Sequence, residues 1–248
     1  MENKILELKK LIDEAKHIVF FGGAGVSTES GIPDFRSETG LYKLKSKYDE
    51  PYEVMLSHSY FVRNTETFYK FYREFMINTE AKPNFAHYFL ANLEKKKDVT
   101  IITQNIDGLH QIAGSKNVIE LHGSIHRNYC THCMRLFSLE DILKMENVPT
   151  CPYCQNIIKP DVVLYEEPLD DRTITKAMIA LSSADLLIVA GTSLNVYPAA
   201  GLINYFYGNN IVLINKDHLS LRTNVKLEIN DKVGEVFKEV DKLDKEGK

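Results

Sequence analysis

The chain has 248 residues, 44% of them apolar and 26% charged, with a net charge of −4 and a pI near 6.1. That is enough apolar material for one large domain, or one domain with a small insert, and the acidic balance gives no electrostatic footprint for general nucleic-acid binding. No apolar run approaches membrane-spanning length, Met1–Lys10 has the mixed charge of an amphipathic helix rather than a signal peptide, and neither end carries a lipidation motif, so a cytoplasmic protein is expected.

Residues 2–15 should form the first helix, with Ile5, Leu8, Leu11 and Ile12 on one face. The apolar run from His17 to Phe21 has the length of a buried strand. Gly22, Gly23 and Gly25 then let the backbone turn tightly and approach a ligand closely, and Val26 to Ser30 can open a helix whose first amides bind phosphate. This is half of a dinucleotide fingerprint. The third glycine of G-x-G-x-x-G falls at Thr28, and no acidic residue ends an obvious second strand about twenty residues on. Instead Gly31-Ile-Pro-Asp-Phe-Arg36 follows at once, with a hinge, a rigid proline, a carboxylate, a ring and a guanidinium in one short block.

From Tyr42 to Tyr60 the chain reads as irregular and aromatic. Thr65 to Met76 reads as a helix whose rings, Phe68, Phe71, Tyr72 and Phe75, recur at helical spacing and belong to a core. Another helix runs from Pro83 to about Leu93, and the Lys95–Lys97 run is its solvated end. Val99–Ile102 and Val118–Leu121 are short buried strands.

Residues 125–159 hold all four cysteines and little core. Cys130 and Cys133, then Cys151 and Cys154, form C-x2-C twice with 17 residues between. Each pair offers two thiolates from one tight turn, and two turns close a zinc tetrahedron. Disulfides do not persist in a reducing compartment. Four protein ligands leave no open coordination position, so one structural zinc is expected.

Val162–Tyr165 resumes the apolar pattern, and residues 170–183 read as a helix. Leu186–Ala190 and Ile211–Ile214 are β-branched runs typical of parallel strands covered on both faces, with a helix at 198–207 between them and another at 233–243. Strands alternating with helices imply an α/β fold: a Rossmann-like, doubly wound parallel sheet with a small inserted zinc-ribbon module. In such sheets ligands bind beyond the carboxyl ends of the strands. Polar clusters follow there: the Gly23–Gly25 block, Gln104 to Asp107, His122-Gly-Ser124, Gly191-Thr-Ser-Leu194 and Asn215. Asp107 and Ser124 could each be helix caps, but five clusters together mark a ligand cleft. His122 is the candidate base, since imidazole accepts a proton near neutral pH. Its position alone does not separate it from a surface or core histidine among the eight in the chain.

The run Gly23-Ala-Gly-Val-Ser-Thr-Glu-Ser-Gly-Ile-Pro-Asp-Phe-Arg36 resembles the cofactor-binding signature of the sirtuins, NAD-dependent protein-lysine deacylases. Thr103-Gln-Asn-Ile-Asp107 and Leu121-His-Gly-Ser124 resemble that family's nicotinamide-ribose and catalytic-histidine motifs, and matches continue to Asn215. The resemblance implies a single catalytic domain over 1–248. Its large lobe would take about 1–41, 80–125 and 160–248, and its small lobe 42–79 and 126–159. It implies that Gly23, Ala24, Gly25, Thr28, Phe35 and Arg36 line an NAD pocket, with Asp34 supporting the loop and Phe35 shielding the reacting C1′. Ile106 and Asp107 would face the carboxamide, and Gln104 and Asn105 would order the ribose side and a water. Gly191, Thr192 and Ser193 would cradle phosphate or ribose, Asn215 and Lys216 the adenosine ribose, and Lys232 adenine. Val162, Val163, Leu164 and Tyr165 would meet a substrate peptide by β-addition.

The implied reaction begins with attack of an acyl-lysine oxygen on C1′ of the nicotinamide ribose. His122 then deprotonates a ribose hydroxyl, and free lysine, nicotinamide and an O-acyl-ADP-ribose leave. A monomer acting on acyl-lysine proteins or peptides is expected. Protein mono-ADP-ribosyl transfer and a non-catalytic zinc-ribbon and nucleotide-binding module are the competing readings. Three departures from the family pattern stand out. Gly22 replaces a common threonine, and Tyr165-Glu-Glu167 replaces Phe-Gly-Glu. Relatives that remove succinyl groups carry Tyr-x-x-Arg where this chain has Tyr69-Lys-Phe-Tyr72, with Arg73 one residue off. An acidic acyl group would then lack a counter-ion unless Tyr72 were replaced by arginine.

Overall fold

The computed structural model describes residues 1–35, 40, 48, 50–219 and 224–246. In chain order its strands are β1 (His17–Gly22), β2 (Asp98–Thr103), β3 (Val118–Glu120), β4 (Gly123–Cys130), β5 (Leu136–Ser138), β6 (Ile158–Val162), β7 (Leu186–Ala190), β8 (Ile211–Ile214) and β9 (Leu227–Ile229). Among the described residues, six of these form one parallel sheet in the order β3-β2-β1-β7-β8-β9. The winding reverses between β1 and β7, as the doubly wound expectation requires.

Strand alternation explains why β1 and β7 are apolar throughout. Ile18, Phe20, Leu186 and Ile188 enter one core with helices α1 (Glu2–Glu14), α5 (Phe85–Glu94) and α9 (Val233–Glu246). Val19, Phe21, Leu187 and Val189 enter a second core with α8 (Asp171–Ser183) and a 3₁₀ turn at Ala199–Tyr205. Asp170 starts α8, its Oδ2 accepting the Thr173 N–H at 2.8 Å. Among the described residues no helix is long and apolar enough to cross a membrane.

The remaining strands form a separate antiparallel sheet, β5-β4-β6. Against it pack Phe68, Tyr69 and Tyr72, from α4 (Thr65–Phe71) and the π turn Tyr72–Met76 that follows. Phe71 and Phe75 turn the other way, with ring centres 5.1 and 5.2 Å from Tyr52.

Several expectations need correction. The stretch read as irregular contains α2 (Tyr52–Met55) and α3 (His58–Arg63), while residues 41–47 lie outside the described residues. The helix expected at 198–207 is the shorter 3₁₀ turn, and Val163–Tyr165 continue past the end of β6. The expected lobe edges at 125/126 and 159/160 fall inside β4 and β6.

Two imidazoles lie wholly inside the large sheet's helical layer. Asn84 caps α5 by accepting the Ala86 N–H at 2.9 Å, and His87 Nδ1 accepts the Asn84 N–H at 3.2 Å. His110, on α6 (Leu109–Ile112), sits with its ring centre 4.6 Å from that of His87. Among the described residues, nothing reaches His87 Nε2 or either nitrogen of His110. Burial pushes the His87 pKa down to about 4, and burial with the neighbouring His87 pushes that of His110 down to about 3. The unfolded chain, with ordinary imidazoles, therefore binds protons first as the pH falls. Stability should decline from about pH 6.5 toward pH 4, by up to about 1.4 kcal/mol per pH unit for each histidine. Urea unfolding of the wild type and of His110→Leu across this range should show a shallower slope in the variant; parallel slopes would clear His110 of the effect.

Candidate active site

A cleft of about 1150 Å³ opens beyond the carboxyl ends of β1, β2, β7 and β8. Its floor is a clasp between two loops. The Gly23 N–H donates to Ala190 O at 3.1 Å, and the Gly25 N–H to Gly191 O at 2.8 Å. A Cβ on Gly25 would stand 2.8 Å from Gly191 Cα, so the glycine is required by the facing backbone. Gly23 is buried beneath this contact and does not line the cleft, whereas Ala24, Gly25 and Thr28 do. Asp34 and Phe35 line the same end; Arg36 lies outside the described residues. Gly191, Thr192, Ser193, Asn215, Lys216 and Lys232 also line the cleft. The lining suits a dinucleotide: Ser193, Asn215, Lys216 and Lys232 are polar or cationic residues on the loops at the switch point.

His122 is fixed by its surroundings. Its Nδ1 lies 2.9 Å from Gln104 O, so Nδ1–H donates there and Nε2 keeps its lone pair. Burial pulls its pKa below the usual imidazole value, partly opposed by that hydrogen bond. Gly123, at φ +76°, follows; a Cβ there would meet Asp161 O at 1.9 Å. The glycine is what lets β4 lie against β6.

Ser27 is a hub that the sequence did not disclose. Its Oγ donates to Asp107 Oδ2 at 2.7 Å and accepts from Asn105 Nδ2 at 3.0 Å. Asp107 Oδ1 accepts the Leu109 N–H at 2.9 Å, so the carboxylate caps α6 while facing the cleft, and burial raises its pKa. Gln104 Nε2 donates to Thr192 Oγ1 at 3.0 Å, tying the β2 loop to the β7 loop. Glu29 also lines the cleft, and its carboxylate accepts the Gly234 N–H at 2.7 Å in the first turn of α9. Ile106 completes the motif as an apolar lining residue.

Val162, Val163, Leu164 and Tyr165 all line the cleft, but not as an open strand edge. The N–H groups of Val163 and Tyr165 donate to His122 O and Leu56 O, and that of Leu164 to Glu167 Oε2. Tyr165 O accepts the His58 N–H. β-Addition along this stretch cannot use those N–H groups.

The aromatic helix also departs from expectation. Tyr72 is 1% exposed and stacks on Phe68 at 5.6 Å, so Tyr72→Arg would put a charge in the core rather than a counter-ion in the cleft. Arg73 Nη2 donates to Ile142 O, Met145 O and Asn147 O at 3.1, 2.8 and 3.4 Å. It holds the end of α7 (Leu139–Lys144).

The four cysteine sulfurs lie within 4.8 Å of one another. Each C-x2-C is a turn of the same design. The Met134 and Gln155 N–H groups return to Cys130 O and Cys151 O at 3.1 and 2.8 Å, and both residues hold φ +60°. Cys130 Sγ is 3.4 Å from Cys154 Sγ, and Cys133 Sγ is 3.6 Å from Cys151 Sγ. A disulfide needs about 2.05 Å, whereas a tetrahedron with Zn–S bonds of about 2.3 Å has edges near 3.8 Å. The donor set fits zinc, and the closed tetrahedron would supply folding energy to β4–β6. Cys151→Ser should lower zinc from one to well under one per chain by metal analysis, with reduced soluble yield; full stability without metal would refute the structural role.

The Sir2 family model matches residues 23–198. An NAD-dependent protein deacetylase of Clostridium acetobutylicum is 60% identical over 240 residues, covering 96% of this chain and 98% of the relative. One of Clostridium tetani is 58% identical over 232 residues, covering 93% and 94%. A solved structure of Sir2 with p53 peptide and NAD+ is 38% identical with a TM-score of 0.86, covering 98% of this chain and 99% of that one. A solved Sir2 variant with deacetylated p53 peptide and 3′-O-acetyl ADP ribose is 38% identical with a TM-score of 0.88, covering 97% and 98%. The motifs, the doubly wound sheet and these likenesses agree: the chain belongs to the Sir2 family.

Proposed function

We propose that this protein is an NAD-dependent protein-lysine deacetylase. The observation that carries the reading is His122, held in the cleft as a neutral imidazole with Nε2 open by its bond to Gln104 O. The curated relatives carry that activity in their names, and solved Sir2 structures hold acetylated peptide. When bound, NAD supplies a ribose carbon activated by its nicotinamide leaving group, and the products are free lysine, nicotinamide and an O-acyl-ADP-ribose.

The chain's own residues divide the work. Ala24, Thr28, Asp34, Phe35 and Arg36 hold the nicotinamide end, and Gly191 to Ser193, Asn215, Lys216 and Lys232 hold the phosphates and adenosine. Ser27 keeps the Asn105 amide and the Asp107 carboxylate in one orientation. His122 takes a ribose hydroxyl proton at Nε2. Val162 to Tyr165 form a wall beside the acyl-lysine. The same reading divides the domain into a large lobe on the parallel sheet and a small lobe of α2–α4 with β4–β6. It treats the protein as a monomer in the cytoplasm, where four thiolates stay reduced.

His122→Ala should retain NAD binding by calorimetry and lose a factor on the order of 10²–10⁴ in turnover. Because burial lowers the imidazole pKa, the neutral base persists at pH 7 and is lost only on acidification. The acid limb of kcat/KM should therefore have its midpoint below 6.5 and vanish in His122→Ala; a midpoint above that value would displace His122 as the base.

Acyl preference follows from the aromatic helix. With Tyr72 in the core and Arg73 on the α7 carbonyls, a succinyl carboxylate would enter beside Ile106, Ile125 and Val162 unpaired. Acetyl-lysine peptide should exceed succinyl-lysine peptide by at least about tenfold in kcat/KM. Equal rates in a mass-spectrometric assay would show that another cation reaches the acyl group.

A further inference from the structure

We infer that Glu166 selects substrates that carry a basic residue close to the acyl-lysine, an inference that rests on the deacetylase reading. Glu166 holds φ +76°, a conformation easy for glycine and strained for glutamate. Its side chain lines the cleft beside Tyr165. Among the described residues its oxygens accept from neutral donors only: Oε2 from the Ser59 N–H at 2.9 Å and Oε1 from Ser59 Oγ at 3.0 Å. Each carboxylate oxygen retains a lone pair.

The next residue shows the contrast. Glu167 is paired with Lys159 Nζ at 3.0 Å and lies 2.8 Å from His58 Nδ1, and it serves the loop's own backbone through the Leu164 N–H. Among the described residues no cationic side chain lies within ion-pair distance of Glu166. The loop thus presents one internally paired carboxylate and one exposed carboxylate without a counter-charge. An acyl-lysine passing along the wall of Leu164 and Tyr165 brings its sequence neighbours to that charge. A guanidinium or ammonium there gains a partner, and a second carboxylate is repelled.

A purely structural role is the alternative: Ser59 is in the first turn of α3, and Glu166 caps it. The two roles separate because a cap needs an acceptor, whereas charge selection needs a charge. The test uses full-length protein, NAD and matched acetyl-lysine peptides that differ only by Arg or Glu at one position within two residues of the acetyl-lysine. The wild type should favour Arg by about fivefold in kcat/KM at one such position at low salt, with the ratio shrinking at high salt. Glu166→Gln should bring the ratio near one. Glu166→Gly, which suits the backbone, should do the same and serves if the glutamine variant folds poorly. A wild type without preference, or a preference that survives both substitutions, overturns the inference while leaving the deacetylase reading intact. No turnover of any acetyl peptide by the wild type removes that reading, and this inference with it.

Discussion

The cleft depends on the close approach of two backbones at the point where the sheet reverses its winding. Gly23 and Gly25 donate into the loop that leaves β7, and that loop begins with Gly191 in a left-handed conformation. Side chains on Gly25 or Gly23 would collide with Gly191 or Thr192. The glycine block therefore does more than leave room for a cofactor. It lets the loops after β1 and β7 form one continuous floor, and Gln104 ties the loop after β2 to the same floor through Thr192.

Upon that floor the polar groups support one another. Ser27 is fully enclosed and joins Asn105 to Asp107; Asp107 in turn caps α6, which carries His110 into the core. His122 stands at the junction of the two sheets, its Nδ1 on the β2 loop and its carbonyl on Val163. The base is thus oriented by one sheet while its backbone anchors the wall built from the other. Arg73 and the buried Lys159 extend this anchoring, the first to the zinc module's helix and the second to Val162 O at 2.9 Å. A closed thiolate tetrahedron at the four cysteines would suit that supporting role.

Much of this was legible in the sequence because the central parallel strands β1, β2, β7 and β8 rest on short apolar runs that end abruptly in polar residues, as at Ile102 and Ala190. The cysteine spacing was equally direct. What was hidden has physical reasons. β9 is three residues long, and β4 is interrupted by a register shift between Ser124 and Asn128, so neither shows clean alternation. α2 and α3 have four and six residues, too few for a helical period. Ser27 and Glu29 act on partners 80 and 205 residues away, which no local pattern encodes. Helical spacing correctly placed the aromatic rings in a core but could not say which wall each ring faced, and Tyr72 proved to lie behind the cleft rather than in it.

The central claim is that the cleft transfers an acyl group from lysine to NAD-derived ribose. The most direct measurement is mass spectrometry of all products after wild-type protein is incubated with an acetyl-lysine peptide and NAD. Deacetylated peptide, nicotinamide and O-acetyl-ADP-ribose in equal amounts are expected. Nicotinamide release with the acetyl-lysine intact and ADP-ribose attached to protein would contradict it.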